Sequence, residues 1–155
     1  MELSTRDELV LLLSEAWDIE HCFETSAHEA AKKYATTDIV KETMDRLIAE
    51  SGGHKANVEL IISKVKGPPI PLIKGVRKCS FNFDRTWDDE MMDEVARVEK
   101  KMANIYLRIL EYLKKADTND IIDLKDKPAI TEMLNGMVKD ESRHHDLAIE
   151  CKSKL

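Results

Sequence analysis

The chain of 155 residues is 43% hydrophobic and 35% charged, with a net charge of −6; this excludes wholesale disorder and argues against nucleic-acid binding, which needs a basic surface. Its length suits one domain over residues 1–155 with a single core. No run approaches the ~18 apolar residues of a membrane span, and the opening Met1-Glu2-Leu3-Ser4-Thr5-Arg6-Asp7 lacks the features of a secretory signal. Cys22, Cys79 and Cys151 are an odd, widely spaced set without a Cys-x-x-Cys, and read best as ordinary thiols of a reducing compartment. The expectation is a soluble, cytoplasmic protein without nucleic-acid or membrane partners.

The first helical pattern runs from about Thr5 to Tyr34, with Leu9, Leu13, Ala16, Glu20, Phe23, Ala27, Ala31 and Tyr34 on one stripe. The second runs from Asp38 to about Lys66 through Val40, Met44, Leu47, Ser51, His54, Val58, Ile61 and Val65. The third, from about Trp87 to Lys115, carries Met92, Val95, Glu99, Met102, Tyr106, Ile109 and Leu113. The fourth, from about Lys127 to Lys152, carries Ile130, Leu134, Met137, Glu141, His144, Ala148 and Cys151. Steps of three and four set each series on one helix face. Ser4 or Thr5, Thr37 or Asp38, and Thr86 are N-cap candidates, and Pro128 suits a first turn.

Connection lengths set the expected topology. Ala35-Thr36-Thr37 is short enough to force an antiparallel hairpin over 5–66, and the loop around Asp117–Asp126 allows a second over 87–152. Between them, residues 67–86 open with Pro68, Pro69 and Pro71, which forbid regular helix. At about 3.3 Å per residue, such a stretch spans a helix roughly 40 Å long. The predicted fold is all-α: a four-helix bundle of two antiparallel hairpins joined by a long crossover, the connection that marks ferritin-like bundles.

The informative residues break the apolar stripes. Glu20, Ser51, His54, Glu99, Glu141 and His144 fall where each helix should face the core. A lone buried carboxylate is costly and survives by pairing, protonation or metal binding. Four helices, each with its exception near the middle, point to one shared polar site. The hairpins also match one another: Glu20 and Glu99 each precede an apolar residue by three, and His54 and His144 close the second helices.

One Glu from each of two helices plus Glu-x-x-His from the other two is the ligand pattern of ferritin-like di-iron carboxylate proteins. Glu141-Ser142-Arg143-His144 fits it, and with Glu99 and Tyr106 the chain resembles the rubrerythrin type over nearly its whole length. The resemblance implies that Glu20 and Glu99 are terminal ligands, that Glu141 bridges two metals, and that His54 and His144 bind one each. It implies iron, with manganese as the alternative, and ferroxidase or peroxidase activity toward dioxygen or hydrogen peroxide. Without a Cys-x-x-Cys there is no rubredoxin module, so a separate protein would donate electrons; a homodimer is the expected assembly.

The departure lies in the second helix, where Ser51 replaces the expected carboxylate three residues before His54. Glu50 can share that face at a spacing of four. Gly52 and Gly53 either let the helix bulge and swing Glu50 inward, or mark close packing after loss of the site. Tyr106 either holds a ligand or is a core tyrosine with a satisfied hydroxyl. His21, Glu24 and His28 line an offset face and read as solvated. Met91, Met92, Met102, Met133 and Met137 read as core filling. The competing reading is a degenerate bundle without metal, serving as a structural or protein-interaction module.

Overall fold

The computed structural model describes residues 4–70 and 87–155, and structural statements below concern these residues. They form helices α1 (Thr5–Cys22), α2 (His28–Tyr34), α3 (Asp38–Ser63), α4 (Asp88–Leu113) and α5 (Lys127–Ser153), and no strand occurs among them. A π-helical turn, Phe23–Ala27, joins α1 to α2, so the first predicted segment is one continuous rod with a widened turn. A 3-10 turn, Ala116–Asp120, follows α4. No helix is long and apolar enough to cross a membrane.

Helix ends follow local chemistry. The Ser4 hydroxyl accepts from the Asp7 amide, and Thr37 accepts from the Val40 amide, satisfying donors that a helix start leaves free. α4 departs from expectation: Trp87 is its N-cap and offers no side-chain bond, while Thr86 lies outside the described residues. α5 begins with Pro128 in its first turn, where a missing amide costs nothing. α3 stops at Ser63, three residues short of the expected end, and the chain leaves it through Gly67 at φ +107°. That left-handed backbone favours glycine, and a Cβ there would also meet the Arg6 guanidinium at 2.7 Å.

Four long helical segments pack as a bundle around one core, α1 against α3 and α4 against α5, with α1 also touching α4 and α3 touching α5. Arg6, at the start of α1, donates to the carbonyls of Lys66 and Pro68 beyond the end of α3, at 2.7 and 2.6 Å. Lys152, near the end of α5, meets Asp93 near the start of α4 at 2.8 Å. Asp88 ties the α2–α3 corner to α4. Its buried carboxylate accepts from the amides of Thr36 and Thr37 at 2.9 and 2.8 Å and from their hydroxyls at 3.1 and 2.6 Å. Burial opposes its charge, but these donors outweigh it and hold the pKa below the usual aspartate value.

The crossover over 67–86 lies outside the described residues from position 71 onward, together with Lys74, Arg77, Lys78 and Cys79. Cys151 is a buried free thiol.

Candidate metal centre

The polar residues that break the four stripes all enter the interior. Glu20 from α1, Ser51 and His54 from α3, Glu99 from α4, and Glu141 and His144 from α5 are each at most 4% exposed. They lie along the four helical segments between stripe residues that are themselves buried, among them Phe23, Leu47, Val58, Val95, Met102 and Met137.

Two groups form, and they share one residue. Glu20, His54 and Glu141 bring a ligand atom each within 4.8 Å of one another, and Glu99, Glu141 and His144 do the same. Each group could hold a metal ion. Nδ1 of His54 lies 2.5 Å from Oε1 of Glu141 and 3.5 Å from Oε1 of Glu20. Nδ1 of His144 lies 3.5 Å from Oε2 of Glu99 and 3.8 Å from Oε2 of Glu141. The imidazole centroids are 5.7 Å apart.

These contacts are close without being hydrogen bonds. Nδ1 of both histidines and Oε1 of Glu141 are buried and have no hydrogen-bond partner. Buried polar atoms are nearly always satisfied. Here they converge on one another off the line that an N–H would need, as ligand atoms do around an ion. Oxygen and imidazole donors without thiolate suit iron or manganese better than structural zinc. The residues present therefore fit a metal.

The far side of each imidazole is also held. Nε2 of His54 lies 3.0 Å from Oδ2 of Asp140, and Nε2 of His144 contacts Oε2 of Glu50. The exchange is reciprocal: α5 holds the histidine of α3, and α3 holds that of α5. A carboxylate on the outer nitrogen fixes the ring orientation of a ligating histidine and raises its basicity.

Glu50 therefore does not join either group, contrary to the expectation that it swings inward. Its side chain is 32% exposed and is drawn outward by Arg143 at 2.8 Å and Arg46 at 3.8 Å. α3 runs as unbroken α-helix through Gly52 and Gly53, and a Cβ at either would meet nothing within 4 Å. Neither a bulge nor close packing occurs there, and nothing in the structure explains the pair. The widened turn lies instead in the first segment, opening at Phe23 just after Glu20. π turns recur at functional sites. Asp140 was missed by sequence reasoning; its signal was its place four residues before His144, matching Glu50 before His54.

Tyr106 donates from its hydroxyl to Oε1 of Glu20 at 2.7 Å, so it holds a carboxylate of the centre. Burial and the neighbouring Glu20 push its pKa well above the ordinary value. His21 stacks on Trp17, with ring centroids 4.9 Å apart, and Glu24 pairs with Lys55 at 2.9 Å, while His28 is exposed. These three form no metal-binding group.

The charges are strongly coupled. Burial opposes protonation of His54, but Glu141 and Glu20 outweigh it and raise its pKa to about 11. Burial likewise opposes the charge on His144, and Glu141, Glu99 and Glu50 raise its pKa to about 10. Burial and the adjacent Glu141 push Glu99 well above the usual carboxylate range. Without metal the centre is thus a knot of imidazolium and carboxylate, and a divalent ion competes with its protons.

Comparison with protein-family models, with curated proteins and with solved structures finds no match.

Proposed function

We propose that this chain is a ferritin-like, rubrerythrin-type metalloprotein that binds iron, with manganese as the alternative ion, between two antiparallel helical hairpins joined by a long crossover. The observation that carries this reading is the pair of Glu/His groups sharing Glu141, with three buried ligand atoms lacking hydrogen-bond partners. The end-to-end contacts of α1 with α3 and of α4 with α5 support the hairpin arrangement.

Glu20 and His54 would hold one ion and Glu99 and His144 the other, with Glu141 common to both. When bound, iron supplies the electrons that reduce dioxygen or hydrogen peroxide. The protein's own residues prepare that chemistry. Asp140 and Glu50 fix the two imidazoles from outside. Tyr106 fixes Glu20 and places a phenolic proton beside the centre. The apolar wall keeps bulk water out, which strengthens every charge interaction inside. A separate protein would supply the reducing equivalents.

The second reading is a metal-free bundle with a structural or protein-interaction role. The raised pKa values of His54 and His144 favour it, since two imidazoliums can balance buried carboxylates. The first reading is preferred because the short Nδ1–carboxylate contacts lack hydrogen-bond geometry.

The test is oxidation of ferrous ion loaded anaerobically, followed on adding peroxide or dioxygen. The expected result is faster oxidation on the chain than in buffer, abolished by Glu141→Ala. Equal rates with and without the protein would contradict the reading.

A further inference from the structure

Ser51 stands where the partner of Glu141 would be. Each is three residues before the histidine of its helix, each is buried, and the reciprocal grip of Asp140 on His54 and Glu50 on His144 relates the two helices as near-equivalents. The equivalence fails at this one position. Glu50 cannot make good the loss, because Nε2 of His144, Arg143 and Arg46 hold it at the rim. Among the described residues no other carboxylate joins either group.

The deficit is both of charge and of donor atoms. Two divalent ions beside Glu20, Glu99, Glu141 and two neutral imidazoles leave one unit of positive charge uncompensated in a buried place. A buried charge without a partner is strongly disfavoured. One ion alone turns the sign to one unit of negative charge, which a single proton kept in the half without metal balances. A serine side chain is what remains of a glutamate once its terminal carboxylate and the carbon before it are replaced by a hydroxyl. A small carboxylate from solution would restore those atoms, with the Ser51 hydroxyl as its donor.

We propose that the centre takes its second ion only together with a small monocarboxylate, of the acetate or formate class, seated at Ser51. The proposal rests on the metal-binding reading above. It makes this a centre whose occupancy is set by a carboxylate ligand as well as by metal.

Isothermal titration of the whole chain with cobalt(II) tests it, in a non-coordinating buffer with and without excess acetate. Without acetate one ion should bind, with any second step weaker by roughly a hundredfold or more. With acetate a second step should appear, strengthening as acetate rises. Ser51→Glu should bind two ions in both conditions. Two equal steps in acetate-free wild type, or a single step that acetate never changes, would overturn the proposal. Acetate dependence undiminished in Ser51→Glu would overturn it too. The wild-type comparison decides the matter alone if that variant does not fold. Binding of no ion under any condition would instead sink the metal-binding reading itself.

Discussion

Asp140 reaches from α5 to α3 and holds Nε2 of His54 at 3.0 Å, leaving Nδ1 of the same ring turned into the centre. It is 44% exposed, so it acts from the rim, gripping a ring that is itself buried. The arrangement fixes which imidazole nitrogen is free for a ligand role, and it does so from the opposite helix.

Removing that grip should weaken metal binding without unfolding the bundle. Asp140→Ala is expected to lower affinity by roughly 10–100-fold, the usual effect of losing a carboxylate on a ligating histidine. Competition with a chromogenic chelator measures it, and circular dichroism checks the fold. Unchanged affinity would show that the ring is held by packing alone.

Metal binding should release protons. The folded-state pKa values of His54 and His144, about 11 and about 10, lie above the ordinary 6.5, so both rings are protonated at neutral pH. An entering ion must displace those protons, and affinity therefore rises with pH through the neutral range. Calorimetry in buffers of differing ionisation enthalpy counts the protons, and a pH-independent affinity would contradict the account. For the metal-free protein the sign is the reverse. The stability these raised pKa values contribute is full below about 6.5 and is lost as pH rises through about 10 and 11.

Asp88 should matter for stability and little for metal. Asp88→Ala leaves two amides and two hydroxyls at the α2–α3 corner without their shared acceptor. The expected loss is about 2–3 kcal/mol, read from urea unfolding. Because the carboxyl's pKa is lowered by these bonds, its contribution is present above the ordinary aspartate value and is lost as pH falls through the folded value. A loss no larger in wild type than in the variant on acidification would refute the assignment.

The helices were largely legible because stripes of Leu, Val, Ile and Met at steps of three and four have only one way to be buried together. Ser4 and Thr37 marked helix starts correctly, since a hydroxyl there has an amide to accept from. That Glu20, His54, Glu99, Glu141 and His144 share the interior was readable from the same stripes. The π turn was not, because Phe23 and Ala27 keep the apolar face through either kind of turn. The direction of Glu50 was not legible either. A spacing of four allows it the inner face, but Arg46, Arg143 and His144, two of them on another helix, decide that it stays at the rim. Asp140 was hidden for the same reason: its partner belongs to α3, and its place four residues before His144, matching Glu50 before His54, was the one trace of that contact in the sequence.

The most direct measurement of the central claim is metal content after saturation and dialysis, compared among wild type, Glu141→Ala and Glu50→Ala. Glu141 belongs to both groups and Glu50 to neither. The account predicts that wild type retains metal, that Glu141→Ala retains none, and that Glu50→Ala binds roughly 10–100-fold more weakly yet still binds. A wild type without metal, or a folded Glu141→Ala that holds as much as wild type, would contradict it.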